Sequence, residues 1–328
     1  MDFDAVLISA RKERMLKQGY WQNKTIMQSL HEAAEKYPEK EALVSFRTEN
    51  KQQISLNFKE ILALTNKIAL GLKQLGVEKN DVVSCQLPNW WEFSLLYCAC
   101  SRIGAVLNPL MPIFRERELE FMLKHAESKV FIVPKQYRNF DHEQLANKLQ
   151  AKLETLQHVV VVNGLGDNNY DQLLVNHGLE KNLEALTQLD DFHADPDDVT
   201  QLIFTSGTTG EPKGVMHTSN TLYANIVPYA ERLHLNENDV ILMASPMAHQ
   251  TGFMYGLIMP VILQAKVVLQ DVWEVSQAVA LIHQHQVSFT MASTPFLNDL
   301  ANTVAEHHDQ VKSLETFLCA GAPIPGPL

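Results

Sequence analysis

The sequence predicts an α/β fold in which mostly parallel sheets are covered by helices. The first observation is that short apolar segments alternate with longer amphipathic segments along most of the 328 residues, a pattern typical of parallel sheets with helical crossovers. The second is a hydrophobic fraction of 46% beside 20% charged residues, which is ordinary for a globular protein. The third is length, because a chain of this size can form two compact units with large cores.

The first half of the chain contains recognisable element boundaries. Thr25 and Gln28 have the spacing of a capping box, in which each side chain bonds the other residue's backbone N–H. Apolar residues of helical period run from Phe58 to Leu72, and Gly76 is the expected stop. Further strands are expected at 81–87, 105–107, 129–133 and 158–162, with helices at 93–101 and 115–126 and a polar helical stretch before the last strand.

The second half repeats this alternation after a break. Residues 164–200 are acidic, rich in Asn and Asp and irregular in pattern, so they are the best linker candidate. Strands are expected at 202–204, 240–243, 266–269, 288–291 and 316–319, with helices through Leu222 and Ile226, near 274–286 and from Pro295. In such folds ligands bind beyond the carboxyl ends of strands.

One loop combines hydroxyls, glycines and a lysine directly after the strand expected at 202–204. Residues 205–214 read TSGTTGEPKG. Glycines let backbone N–H groups approach an anion, hydroxyls donate further hydrogen bonds, and lysine adds a mobile charge. A helix expected from about His217 would offer its N-terminus to the same anion. The run is not a Walker A loop, and a plain surface turn is the alternative, but this chemistry favours a polyphosphate ligand.

The whole run resembles the signature loop of the adenylate-forming superfamily, [ST]-S-G-[ST]-T-G-x-P-K-G. Two later segments add to the resemblance: residues 246–252 are similar to its P-x-x-H-x-x-G segment, and residues 319–325 to the glycine-alanine strand end that lies against adenine. Residues 108–119, which follow a small-residue junction at 102–106, are most similar to bacterial acyl-CoA synthetases of the short- and medium-chain and cyclohexanecarboxylate–CoA ligase type.

The resemblance implies a reaction in two halves. A fatty or alicyclic carboxylate attacks the α-phosphorus of ATP, giving an acyl-adenylate and pyrophosphate; the thiol of coenzyme A then attacks the acyl carbon and releases AMP. Mg²⁺ would bridge phosphate oxygens, and no residue is expected to ligate it. The residues implied to hold the β- and γ-phosphates are Thr205, Ser206, Gly207, Thr208, Thr209, Gly210 and Lys213.

The later segments carry the other expected roles. Lys213 and His249 are the catalytic candidates, and His249 matches a position between the acyl pocket and the pantetheine channel; a histidine hydrogen-bonded within its loop is the alternative. The residues implied to line the acyl pocket are His249, Phe253, Met254 and Gly256, with core packing as the alternative for the last three. The residues implied to face adenine are Gly321, Ala322 and Pro323, with a plain turn as the alternative.

Family members continue beyond the position that matches Leu328 with further adenine, ribose and magnesium segments and a C-terminal domain. The expectation is therefore an N-terminal part of a longer ligase, with residues 1–20 as an extension and 21–328 as an incomplete AMP-binding domain. Its subregions would be about 21–163 and 201–328, joined by 164–200. Two other functions stay open: a non-catalytic nucleotide- or acyl-binding remnant, and a relative with a carrier-protein or luciferase-like acceptor.

Charge and composition bear on nucleic-acid binding, membrane attachment and cysteine chemistry. A net charge of −11 argues against a nucleic-acid surface. No signal peptide or spanning segment is expected, and the apolar stretch from Phe253 to Leu263 predicts a partly buried helix, with peripheral membrane contact left open. The four cysteines lack metal or redox spacing and are expected to be buried in a reduced, cytoplasmic compartment. The histidines are expected to be mostly solvated.

Overall fold

The computed structural model describes residue 3 and residues 9–190, 192–205 and 212–326, without the side chains of residues 305–307. The strands of these residues are β1 (Glu41–Arg47), β2 (Gln52–Asn57), β3 (Val82–Cys85), β4 (Val106–Pro109), β5 (Val130–Pro134), β6 (Gln136–Tyr137), β7 (Phe140–Asp141), β8 (His158–Val162), β9 (Val199–Thr205), β10 (Lys213–Thr218), β11 (Val240–Met243), β12 (Lys266–Gln270), β13 (Phe289–Ala292) and β14 (Thr316–Cys319).

The helices alternate with these strands. They are α1 (Ser9–Lys17), α2 (Ile26–Lys36), α3 (Phe58–Gln74), α4 (Trp91–Ile103), α5 (Glu116–His125), α6 (His142–Gln150), α7 (Leu183–Asp190), α8 (Ser219–Leu233), α9 (Gln250–Phe253), α10 (Met259–Leu263), α11 (Val275–His285) and α12 (Thr294–His307), with a π-helical turn at Met254–Ile258. The predicted α/β class is confirmed by this alternation.

Local signals account for several boundaries. The Thr25 backbone N–H donates to Gln28 Oε1 at 2.7 Å and the Gln28 N–H donates to Thr25 Oγ1 at 3.2 Å, so the predicted capping box is confirmed at the start of α2. Gly76 follows α3 with a φ of +78°, a left-handed conformation that glycine adopts without the steric cost of a Cβ.

The chain divides into two compact units. The first comprises Met1–Gln28, Glu60–Leu87 and Glu92–Asn225. Its sheet has the order β10-β9-β4-β3-β5-β8, parallel except for β10. A main part of its core lies between that sheet and helices α5 and α6, and includes Leu119, Leu123, Phe131, Leu149 and Val161.

The second unit comprises Ser29–Lys59, Pro88–Trp91 and Ile226–Leu328. Its sheet has the order β14-β13-β11-β12-β1-β2, parallel except for β2. Its core packs β1, β11 and β12 against α11 and α12 through Val44, Leu242, Val268, Ile282 and Leu300. The stretch from Phe253 to Leu263 is helical and Phe253, Ile258 and Met259 are 0% exposed, as expected.

Two expectations about irregular and polar parts need correction. Residues 164–200 are not uniformly irregular: they contain a π-helical turn at Asp171–Val175 and helix α7, and they bury Tyr170, Leu174 and Leu189. These apolar side chains hold the segment on the first unit despite its acidic composition. Among the cysteines, Cys319 is only half-buried, because its strand lies at the sheet's edge.

Candidate nucleotide and acyl site

The glycine-rich loop lies at the end of a β-hairpin in the first unit. β9 and β10 are antiparallel neighbours, and Thr205 is directly opposite Lys213 in the ladder. Thr205 Oγ1 lies 3.5 Å from the Lys213 carbonyl oxygen, and both residues are exposed. The hairpin thus brings together two of the predicted phosphate ligands, although they are eight positions apart. The other predicted ligands, Ser206, Gly207, Thr208, Thr209 and Gly210, lie outside the described residues.

The helix expected from about His217 is confirmed as α8, but it follows a strand and does not begin at the loop, so the expected contribution of its N-terminus is wrong. Residues 213–218 form β10, and α8 begins at Ser219. A strand of 6 residues therefore separates Lys213 from the helix, a run of about 20 Å at the usual rise. The Thr221 backbone N–H donates to Thr218 Oγ1 at 3.3 Å, so the α8 N-terminus is capped by its own residue rather than offered to the loop.

A buried polar network lies at the carboxyl end of β3 in the same unit. Gln86, next after Cys85, donates from Nε2 to the carbonyl oxygens of Met111 and Phe114, each at 2.9 Å. Because the amide nitrogen is thus assigned, Gln86 Oε1 is the acceptor of a 2.9 Å bond from His142 Nδ1. The neutral His142 ring therefore carries its proton on Nδ1. Sequence patterns missed this network, since the residues are far apart in the chain.

His142 makes the stability of the first unit depend on pH. Burial, with a smaller contribution from Arg115, lowers the pKa of His142 from 6.5 to about 4, while Asp141 opposes the shift. The unfolded state therefore takes up a proton near pH 6.5, whereas the folded state does so only near pH 4. We expect the free energy of unfolding to fall over this range, by about 3 kcal/mol at pH 4 from this group.

Urea denaturation from pH 7 to pH 4 measures this dependence. His142→Gln should flatten the fall, whereas the exposed control His283→Gln should retain it. Equal slopes for His142→Gln and the unmodified protein would contradict the assignment.

The segment 246–252 in the second unit follows β11 and includes the first residues of α9. His249 is the N-cap of α9: its Nδ1 accepts from the Thr251 backbone N–H at 3.2 Å, and its own N–H donates to the Pro246 carbonyl oxygen at 3.0 Å. With Nδ1 engaged as an acceptor, the neutral ring carries its proton on Nε2. His249 is exposed, so this ring can reach a ligand while its loop is held by backbone bonds.

The three predicted acyl-pocket residues after His249 are tightly packed. Phe253 is 0% exposed and Met254 4% exposed. A Cβ on Gly256 would lie 2.4 Å from Met243 Cγ, so glycine is needed for close contact with β11. Beside them the Tyr255 ring packs against that of Tyr229, with ring centroids 4.5 Å apart and the ring planes tilted by 30°. Core packing explains Phe253 and Met254, and their contact with an acid stays a prediction.

The predicted adenine-facing turn follows β14. Gly321 has a φ of +88°, which favours glycine, and Gly321, Ala322 and Pro323 are all exposed. Thr294, at the start of α12, donates from Oγ1 to the Pro323 carbonyl oxygen at 3.1 Å. Thr294 was missed by motif analysis, although its position two residues after β13 places it at the same strand ends.

The described residues contain no group of three or more His, Cys, Asp and Glu side chains that could hold a metal ion.

Burial raises the pKa of the Cys98 thiol to about 12 and raises those of Cys85 and Cys100 as well, so these thiols stay protonated and unreactive at neutral pH. His142 departs from the expected solvation of the histidines, since it is 1% exposed.

Helix-covered parallel sheets, with a glycine- and threonine-rich loop at the carboxyl end of one strand, define a nucleotide-binding class of α/β protein. The family model described as AMP-binding enzyme matches residues 30–328, and the chain belongs to this family.

Two relatives that the chain resembles are ligases by name. The chain is 31% identical over 315 residues to the medium-chain fatty-acid–CoA ligase of Escherichia coli (strain K12), covering 96% of this chain and 54% of the relative. It is 27% identical to the 2,3-dihydroxybenzoate-AMP ligase of Bacillus subtilis (strain 168), covering 94% and 56%. The chain thus spans about half the length of the curated relatives it matches.

The solved structures agree on the fold. The inhibitor-bound N-terminal domain of FACL13 from Mycobacterium tuberculosis superposes with a TM-score of 0.74 at 22% identity, covering 93% of this chain and 71% of that one. This likeness concerns the fold alone. No helix of the described residues is long and apolar enough to cross a membrane.

Proposed function

We propose that this chain is part of an ATP-dependent acid–CoA ligase that activates a fatty or alicyclic acid. The carboxylate attacks the α-phosphorus of ATP and pyrophosphate leaves; the thiol of coenzyme A then forms the thioester and AMP leaves. The observation that carries the proposal is the β9–β10 hairpin, which sets Thr205 opposite Lys213 at the two ends of the glycine-rich loop in a chain of the AMP-binding family.

The chemistry of the loop suits the first half-reaction. Displacement on phosphorus needs the nucleophile and leaving group in line and needs neutralisation of the growing charge. Lys213 supplies one positive charge, and within the described residues no carboxylate pairs with it. Hydroxyls and backbone N–H groups of residues 205–210 supply the remaining donors. Bound Mg²⁺ would supply further neutralisation of the phosphate charge.

The acid and the acceptor are further parts of the proposal. The E. coli relative is a medium-chain fatty-acid–CoA ligase, which supports a medium-chain acid. The B. subtilis relative is an acid–AMP ligase, which keeps another acceptor as the second candidate. A cytoplasmic location and the division into an extension (1–20), subregions 21–163 and 201–328 and a linker also stay proposals.

Two assays of the natural protein test this function. Isotope exchange between ATP and pyrophosphate, dependent on added acid, measures adenylation, and mass spectrometry after addition of coenzyme A detects the thioester. Exchange with a medium-chain fatty acid followed by thioester formation is the expected result. Exchange without any thioester would favour a different acceptor, and no acid-dependent exchange would favour a binding remnant.

His249 is assigned to the second half-reaction. Its exposed ring lies at the start of α9, where it would gate entry of the pantetheine thiol. We expect His249→Ala to slow thioester formation at least about tenfold more than adenylation, as for loss of one polar contact in a transition state. Rates of the two half-reactions measured separately by rapid quench provide the test, and equal losses in both would count against a gate.

A further inference from the structure

The segment Pro88–Trp91 belongs to the second unit, although the residues before and after it in the chain belong to the first. Asn89, in its middle, is 3% exposed. Its side-chain Nδ2 donates to the carbonyl oxygens of Ser245 at 2.9 Å, Gln270 at 3.3 Å and Met243 at 3.4 Å. Its Oδ1 accepts from the Met247 backbone N–H at 2.8 Å. The two amide hydrogens are thus shared among three carbonyl oxygens, and one side-chain amide bonds to four backbone groups.

These backbone groups lie where the sheet ends. Met243 is the last residue of β11 and Gln270 the last of β12, and the two strands are parallel neighbours. Beyond the last ladder bonds, buried carbonyl and N–H groups lose their partners, and leaving them unpaired costs stability. Asn89 supplies both a donor and an acceptor there, so it continues the sheet's hydrogen bonding into the loop that leads to His249.

The residues around Asn89 hold it in place. Trp90 donates from Nε1 to Asp271 Oδ2 at 2.9 Å, and Arg47 stacks its guanidinium 4.1 Å from the Trp90 ring centroid. The Trp91 backbone N–H donates to Ser45 Oγ at 3.1 Å. These contacts fix the segment on β1 and on the residue after β12, so the Asn89 amide has a defined position.

The clamped backbone in turn determines where His249 lies. The His249 N–H donates to the Pro246 carbonyl oxygen at 3.0 Å, and a Cβ on Gly252 would lie only 2.2 Å from that same oxygen. The first turn of α9 therefore rests directly on residues 245–246. Any shift of this backbone moves the imidazole.

We propose that Asn89 is a positioning residue that holds residues 243–247 and thereby sets the place of His249. The role assigned to His249 rests on the proposed function; the clamp itself rests on the hydrogen bonds alone. Asn89 would act through the backbone and not touch the substrate.

The clamp is tested first, by hydrogen exchange with mass spectrometry. Asn89→Ala removes all four contacts, while Asn89→Asp keeps the size but turns a carboxylate oxygen toward the three carbonyl oxygens. We expect amide exchange over residues 245–253 to accelerate about tenfold or more in both variants, because neither can donate to these carbonyl groups. Faster exchange throughout the second unit, or no change, would overturn the clamp.

Thr48→Val is the matched control. Thr48 donates from Oγ1 to Asp271 Oδ1 at 2.7 Å, so this variant loses a side-chain bond beside Trp90 but none to the loop. Exchange over residues 245–253 should be unchanged in it. Acceleration equal to that of Asn89→Ala would show general loosening and overturn the assignment.

The functional consequence is read from the two half-reactions. If Asn89 acts through His249, Asn89→Ala slows thioester formation more than adenylation, and adding it to His249→Ala gives little further loss. Equal slowing of both half-reactions, or additive losses, would overturn the positioning role. If the unmodified protein shows no acid-dependent adenylation, the proposed function fails, whereas the exchange experiment still decides the clamp.

Discussion

Lys213→Ala should reduce kcat/KM for ATP at least about 100-fold in acid-dependent adenylation, a loss typical of removing one donor that stabilises transition-state charge. Lys213 is the first residue of β10 and lies directly opposite Thr205, where the glycine-rich loop joins the two strands. Its side chain is exposed, so the charge faces solvent in the described structure and contributes little to packing. Steady-state kinetics with varied ATP, beside a urea denaturation curve, is the measurement.

The controls separate charge from fold. Lys213→Arg keeps the charge but not the shape of the ammonium group, so a partial recovery is expected. Lys73→Ala removes an exposed lysine from the last turn of α3 and should change neither kinetics nor stability. The assignment of Lys213 to phosphate binding would be wrong if Lys213→Ala kept normal turnover. It would also be wrong if unfolding of the variant accounted for its entire loss of activity.

Gly252→Ala should destabilise the second unit by about 3 kcal/mol, in the upper range for overpacking. The added Cβ would lie 2.2 Å from the Pro246 carbonyl oxygen and 2.5 Å from that of Ser245, and both are backbone atoms that cannot rotate away. Helix α9 must then move off the strand end, and His249, its N-cap, moves with it. A lower urea midpoint and a slower thioester step are expected together.

Gly166→Ala is the matched control for this substitution. At that position the nearest contact of a new Cβ is Asn168 Oδ1 at 3.5 Å, an ordinary van der Waals distance. This variant should unfold within about 0.5 kcal/mol of the unmodified protein. An unchanged urea midpoint in Gly252→Ala would mean that the loop yields without cost, and the tight packing of α9 on residues 245–246 would not be needed.

Elements with a strong local signal were predicted closely. The strands at 158–162, 240–243 and 316–319 have the expected bounds, because each is an uninterrupted apolar run with polar or turn residues at its ends. The capping box at Thr25 and Gln28 involves residues three apart, so sequence spacing alone indicates it. Local signals of this kind can be recognised in the sequence without knowing which distant strand is the partner.

Strands whose conformation depends on pairing with another strand were not predicted. β10 follows a loop and has only one apolar pair, Val215 and Met216; its conformation depends on antiparallel bonding to β9. The hairpin of β1 and β2 was not predicted. β1 is buried beside β12, a strand more than 200 residues later in the chain. Because β10 runs back along β9, α8 begins at Ser219, one strand away from the loop.

The sequence by itself determined the α/β class, the family and the candidate ligands of the loop, because a motif of glycines, hydroxyls and a lysine is legible without coordinates. Only the tertiary structure decided which groups support the candidate residues. Asn89 lies more than 150 positions from the loop that it clamps, and Gln86 lies 56 positions from His142. Buried backbone and side-chain polar groups must find partners wherever the fold brings them, and no sequence spacing encodes that choice.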